Sequence, residues 1–186
     1  MIAPHRKQLL YAAQVIRDGG VVAYPTEYCY GLGCDPTNRE AVRKLLRIKQ
    51  RATQRGLILI GSVLAQFRPF IWPIKPEIRS RLLASWPGPT TWLVPARPLH
   101  KLITGNHRTI ALRIPEHPVA RELCTLSGTA IVSTSANRRG RRPALGYRDL
   151  SRMHLPGLDY VVSGTVGNAR RPSAIIDAKT GEFIRQ

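Results

Sequence analysis

Lys49, Arg51, Arg113, Ser133, Ser135 and Asn137 are the residues of this chain whose types and spacing could do chemistry. Two cations one residue apart, an arginine on an alternating stretch and a Ser-x-Ser-x-Asn run combine positive charge with small hydroxyl and amide groups. Such a set binds anions. The serines and the asparagine close residues 130–137, AIVSTSAN, where an apolar run with β-branched Ile131 and Val132 passes straight into small polar side chains. In extended backbone the two-residue period puts Ser133, Ser135 and Asn137 on one side. The same residue types also favour turns at a strand exit, so the run alone admits both readings. Lys49 and Arg51 either offer charge to a ligand or complement a helix C-terminus, an effect of about 0.3 to 1 kcal/mol each. Arg113 either meets a ligand or pairs with Glu116.

Other chemistries lack their residues. There is no GxxxxGK(S/T) loop, and Gly31-Leu32-Gly33 is followed by Pro36 where a dinucleotide fingerprint needs its third glycine. No HExxH or GxSxG occurs. Eleven acids without a clustered pair argue against general-base chemistry by carboxylates. Cys29, Cys34 and Cys124 form no CxxC, and His5, His100, His107, His117 and His154 show no metal spacing. Reduced thiols and no structural metal are expected.

The elements that must position the cations follow from periodicity. Residues 8–17 read as a mostly buried helix ended by Gly19-Gly20, and 21–24 as a strand stopped by Pro25. Residues 26–35, TEYCYGLGCD, read as a loop. Thr37 with Glu40 fits a capping box for a helix whose Ala41, Val42, Leu45, Leu46 and Ile48 share a face and whose end delivers Lys49 and Arg51. The apolar run 57–60 after Gly56 reads as a strand covered on both faces. A helix starts at Pro76 with Ile78, Leu82 and Leu83, and a Trp-Pro-Gly-Pro turn at 86–89 leads into a strand at 91–96. At 109–114 Ile110, Leu112 and Ile114 face one way and Thr109 and Arg113 the other. Pro118 opens a helix closed by Gly128. Beyond AIVSTSAN lie an arginine-rich loop, a short helical stretch at 147–153, and strands at 160–162, 174–176 and 183–184. Strands alternate with helices, which predicts one α/β domain over residues 1–186 with a mixed sheet.

Charge narrows the partner. The 186 residues carry 29 cations against 11 acids, a formal net charge of +18, and 23 of the cations are arginine. Eight cations and no acid lie between Glu40 and Glu77, and four of the residues 138–142 are arginine. A basic chain can be soluble by self-repulsion, but this excess favours nucleic-acid or nucleotide contact. The first ten residues lack the core of a secretion signal and no run of 18 apolar residues occurs, so a cytoplasmic protein is expected.

Lys49-Gln50-Arg51 followed by GLILI, then WPGPTT, ALRIPEHP, VSTSAN and RPSAIIDAKTGEFIRQ, with YPTEYCYGLGCDP near the start, resemble the YrdC/TsaC family of threonylcarbamoyl-AMP synthases in its short single-domain bacterial form. The resemblance runs from about residue 8 to the C-terminus. It departs from the family pattern at Tyr28, at Ala52 and in the arginine-rich loop. It implies a twisted mixed sheet flanked by helices around a basic cavity. There L-threonine, bicarbonate and ATP would give threonylcarbamoyl-adenylate and pyrophosphate, for modification of tRNA beside the anticodon by downstream threonylcarbamoyl-transferase proteins. Lys49 and Arg51 would be the catalytic cations. Arg51, Arg55, Thr109, Ser135, Asn137, Pro143 and Arg185 would bind ATP. Thr26, Tyr28, Arg113, Ser133 and Ser173 would bind threonine. Mg2+ would arrive on the phosphates, since no acid cluster offers a cage. Residues 138–142 would form a lid over the nucleotide with hinges at Gly140 and Gly146, or else a solvated loop. The alternative function is a non-catalytic tRNA or double-stranded RNA binder using the same basic cavity.

Overall fold

Leu9, Ala12, Ala13 and Ile16 recur at helical spacing, and all four are buried on one side of α1 (Arg6–Arg17). They pack with Val119, Ala120, Leu123 and Cys124 of α5 (Pro118–Ser127) over one face of a sheet. That sheet is the frame of the protein, whose computed structural model describes residues 6–99 and 101–185. His5, His100 and Gln186 lie outside the described residues.

Among the described residues nine strands form the sheet: β1 (Val22–Pro25), β2 (Tyr30–Gly33), β3 (Ile58–Ile60), β4 (Thr90–Pro95), β5 (Thr109–Arg113), β6 (Ile131–Ser135), β7 (Tyr160–Val161), β8 (Ala174–Asp177) and β9 (Phe183–Arg185). They lie in the order β7-β1-β2-β6-β3-β5-β4-β8-β9. The pairs β1/β7, β3/β5 and β4/β8 are parallel and the others antiparallel, so the expected mixed sheet is what forms.

Side-chain parity sorts the two faces. Val22, Tyr24, Ile60 and Ile131 go to the α1/α5 side, and Val21, Ala23, Leu59 and Val132 to the opposite core. That second core takes the apolar face of α2 (Arg39–Lys49) and Leu82 of α3 (Pro76–Ser85), which starts on Pro76 as expected. Leu83 of α3 is exposed and takes no part in the core. A four-residue helix, α4 (Lys101–Thr104), is too short to leave a periodic trace and went unpredicted. The short helix near residue 147 is α6 (Tyr147–Arg152).

Two local expectations fail. The cap of α2 is Asn38, whose side-chain oxygen accepts from the amides of Glu40 and Ala41, while the Thr37 hydroxyl donates to Asp35 at 2.7 Å. Asx chemistry one residue later thus displaces the Thr37–Glu40 capping box. The stretch 26–35 is not all loop: Tyr30-Gly31-Leu32-Gly33 is β2, paired to β1 and β6. Its glycines depress strand propensity but are required by close approach. A Cβ on Gly33 would stand 2.8 Å from the Tyr24 ring and 2.8 Å from the Val132 carbonyl oxygen.

Gly33→Ala should therefore cost about 1 to 3 kcal/mol of stability, because backbone blocks the methyl group. Gly146→Ala, where an added Cβ meets nothing within 4 Å, should stay within about 0.5 kcal/mol. Urea denaturation of both variants checks this; equal stabilities would show that β2 can move away from β6.

Candidate functional site

Helices α1 and α5 leave the β3-β5-β4-β8 part of their sheet face uncovered, and there the chain encloses a cavity of about 510 Å3. β5 shows why: Ile110 and Leu112 are in the opposite core, which leaves Thr109, Ala111 and Arg113 lining the cavity. Ile58 and Ile60 of β3, Leu93 of β4 and Ile175 of β8 complete this wall.

Lys49 is the last residue of α2 and only 6% exposed. Gln50 then takes a left-handed conformation (φ 52°) that turns the chain toward Arg51. The Lys49 ammonium donates to Ser135 Oγ at 3.0 Å and to Asn137 Oδ1, and Ser135 Oγ donates to the same Asn137 oxygen at 2.8 Å. Burial, with the neighbouring Arg51 charge, pushes the lysine down to about 8. The strand geometry does not persist to Asn137. β6 ends at Ser135, and the Asn137 amide turns back to the Ser135 carbonyl at 3.0 Å. Strand and turn readings are both realised in one motif, since the turn is what brings the Asn137 side chain back to the lysine.

Arg51 donates from Nη2 to the Gly56 carbonyl at 2.9 Å, while its Nε is buried without a partner. Arg185 of β9 donates to the Ser173 carbonyl at 2.8 Å, and Ser173 Oγ shares a 2.8 Å hydrogen bond with Thr91. Both guanidinium groups are pushed down from the usual arginine range, Arg51 by burial, Arg55 and Arg185, Arg185 by burial and Arg113. Thr26 Oγ1 donates to the Cys29 carbonyl at 2.7 Å, and Tyr24 reaches from the core to donate to Ser133 Oγ at 2.8 Å.

Arg113 pairs with a carboxylate, but not with Glu116. Its Nη2 meets Glu27 Oε1 and its Nε donates to the Gly88 carbonyl at 3.0 Å. Glu116 touches this pair through its backbone amide, which donates to Glu27 Oε1 at 2.7 Å. Glu27 went unpredicted because the acids are few and unclustered along the sequence; its position within YPTEYCYGLG was the available signal.

The sequence-predicted residues converge. Thr26, Tyr28, Arg51, Arg55, Thr109, Arg113, Ser133, Ser135, Pro143, Ser173 and Arg185 line the cavity, and Lys49 and Asn137 join it through Ser135. Of residues 138–143 only Pro143 lines it. The loop is tied down by Arg139 N to the Lys49 carbonyl (3.1 Å), by Asn137 Nδ2 to the Arg141 carbonyl and by Arg138 to the His154 carbonyl (2.9 Å). Cys29 lines the cavity with its thiol pushed up to about 11 by burial, and all three cysteines are free and buried. No cluster of three or more His, Cys, Asp or Glu suited to a metal occurs among the described residues. No helix among them is long and apolar enough to cross a membrane.

A buried ammonium without a countercharge makes anion binding depend on pH. Lys49 is charged below its folded value of about 8, so sulfate, whose own charge is constant over the range, should bind more weakly as pH rises from 7 to 9.5. The folded value lies below the ordinary 10.5, so the folded state loses this proton first. Stability of the empty protein should accordingly rise, relative to Lys49→Met, as pH goes from about 8 to 10.5. Calorimetric sulfate titrations check the first point, and a wild-type pH dependence matching that of Lys49→Met would remove Lys49 from the anion site.

Residues 14–186 match the Sua5/YciO/YrdC family, described as telomere recombination. A threonylcarbamoyl-AMP synthase of Methylobacillus flagellatus is 47% identical over 171 residues, 91% of this chain and 94% of the relative. One from Marinobacter nauticus is 42% identical over 185 residues, covering 98% and 97%. Among solved structures, P. abyssi Sua5 complexed with L-threonine superposes with a TM-score of 0.87 at 28% identity. The match covers 94% of this chain and 52% of Sua5, so the chain spans about half of that protein's length. E. coli YciO shares the fold at a TM-score of 0.84 and 23% identity, over 99% and 91% of the two chains. With a family match over most of its length and relatives above 40% identity, the chain belongs to the Sua5/YciO/YrdC family.

Proposed function

We propose that the protein is a threonylcarbamoyl-AMP synthase, a nucleotidyltransferase. It joins L-threonine, bicarbonate and ATP into L-threonylcarbamoyladenylate and releases pyrophosphate. The observation that carries this reading is the charge of the cavity: Arg51, Arg55, Arg113, Arg171 and Arg185 line it, with the Lys49 ammonium behind Ser135, against one carboxylate among the described residues, Glu27. A carboxylate, a carbonate or carbamate, and a triphosphate are three anions to be held together, and the relatives' names supply the product.

The carbamate oxygen attacks the α-phosphorus, and the bond to pyrophosphate breaks. No protein nucleophile is needed. Lys49 and Arg51 neutralise charge as it shifts between the phosphates, in a site whose donors are already in place. Arg55, Thr109, Ser135, Asn137, Pro143 and Arg185 hold the nucleotide. Thr26, Tyr28, Arg113, Ser133 and Ser173 form the threonine side; P. abyssi Sua5 having been crystallised with L-threonine supports threonine as the substrate. Glu27 is already paired with Arg113 and offers Mg2+ no cage, so the ion enters as part of the MgATP substrate. The loop 138–142, bonded to the Lys49 carbonyl, is the segment that closes over the phosphates. The adenylate then serves modification of tRNA beside the anticodon, with tRNA and downstream transferase proteins as cytoplasmic partners.

Pyrophosphate release measured with each substrate omitted in turn tests the assignment. Release should require ATP, threonine and bicarbonate together; equal release without threonine overturns it, and no release under any condition leaves a non-catalytic RNA binder. Arg113→Ala should raise the threonine KM about tenfold or more and leave the ATP KM within about twofold, since losing a charge-assisted hydrogen bond costs about 1.5 to 3 kcal/mol. An unchanged threonine dependence would reduce Arg113 to a structural partner of Glu27.

A further inference from the structure

The proposed reaction consumes a primary amine that enters as an ammonium, and its nitrogen must lose a proton before it can bond to carbon. The arginines and Lys49 cannot take that proton while charged. Glu27 is the one carboxylate lining the cavity among the described residues. Its Oε1 serves Arg113 and the Glu116 amide, while its Oε2 is buried without a hydrogen-bond partner.

One residue beyond Glu116 stands His117, 8% exposed, at the N-terminus of α5. Its Nε2 lies 3.1 Å from the Thr165 carbonyl oxygen, which can only accept, so Nε2 carries the ring proton and Nδ1 presents a lone pair. Nδ1 too is buried without a partner. Two buried acceptors therefore lie near enough for the Glu27 charge to act on the imidazole, and neither has a hydrogen-bond partner. A proton arriving there finds an unused acceptor on either group.

We propose that Glu27 and His117 form the proton-accepting pair for the substrate's primary ammonium, an inference that rests on the synthase reading above. R–NH3+ passes one proton to the carboxylate–imidazole pair and becomes R–NH2. The nitrogen electron pair attacks the bicarbonate carbon, the C–OH bond breaks, and that hydroxide leaves as water with a second amine proton. R–NH2 and HCO3− thus give R–NH–COO− and H2O, and the stored proton passes to solvent. The charged and titratable groups facing the pair are Arg113 from β5 and Cys29, whose thiol is pushed up to about 11 and stays neutral through the working range. Burial pushes the imidazole below its usual range, while the Thr165 carbonyl and the Glu27 charge oppose that shift. General-base work by a carboxylate, which the scarcity of acids argued against, thus has a place here through a carboxylate–histidine pair.

Glu27 could instead serve only to orient Arg113, and pH separates the two roles. Glu27→Gln keeps an oxygen for Arg113 and the Glu116 amide but removes the base; His117→Asn keeps a polar side chain but removes the second titratable base, without touching Arg113. Threonine-dependent pyrophosphate release is followed from pH 6.5 to 9.5. Each variant should lose about 100-fold in kcat/KM for threonine at pH 7, with the ATP KM within about twofold. The loss should shrink as pH rises toward the free amino acid's own ammonium pKa, which its carboxylate holds above that of a peptide N-terminus, because more substrate then arrives already deprotonated. The double variant should be little worse than either single one. A loss independent of pH, or no loss, overturns the pair; should Glu27→Gln not fold, His117→Asn decides alone. A wild type without threonine-dependent release would instead overturn the synthase reading itself.

Discussion

A buried ammonium held by two neutral oxygens is the interaction on which the site depends. Lys49 ends α2, Ser135 ends β6, Asn137 opens the arginine-rich loop, and their side chains meet at one point. The loop is bonded back to the same lysine through Arg139 N and the Lys49 carbonyl. Without that ammonium, Ser135 and Asn137 would lose their shared donor. Placing a charge there with no carboxylate beside it is costly, and the cost is relieved when an anion enters. The donors are fixed beforehand, so little reorganisation remains when an anion binds.

The sheet makes this placement possible by being covered unequally. α1 and α5 bury Val22, Tyr24 and Ile131 on one part of a face and leave the strands beyond to form the cavity wall. Tyr24 links the two regions, with its ring in the core and its hydroxyl on Ser133. The close approach of Gly33 to Tyr24 and to the Val132 carbonyl brings β2 against β6, so a short glycine-bearing strand sets where the serines of β6 stand.

Sequence made the regular parts legible wherever apolar periodicity was strong. The buried face of α2, the alternation of β5 and the Pro-to-Gly frame of α5 all follow local rules, and the structure repeats them. It was silent where tertiary contact decides. β2 contradicts its own propensity because neighbouring backbone admits only glycine, and Asn38 displaces Thr37 as a cap by a choice of one residue that pattern cannot rank. Within the site, cations were legible because their number is extreme; Glu27 was not, because its meaning comes from Arg113, 86 positions along the chain, and from His117.

The scarcity of acids gives Glu27 its weight. Three ion pairs occur among the described residues, and those of Arg43 with Glu40 and of Lys44 with Asp159 lie at positions exposed enough to contribute little. The third, Arg113 with Glu27, leaves each side chain only 14% exposed. If its purpose were to relieve repulsion among the cavity's cations, one carboxylate would be a poor device, since it meets one guanidinium and leaves its second oxygen unused. Its value lies in combination: a guanidinium and a carboxylate side by side form the complement of a zwitterion, in which carboxylate and ammonium are separated by one carbon. The other cavity-lining cations have no carboxylate beside them among the described residues, so only a bound anion can complete the charge balance of the cavity.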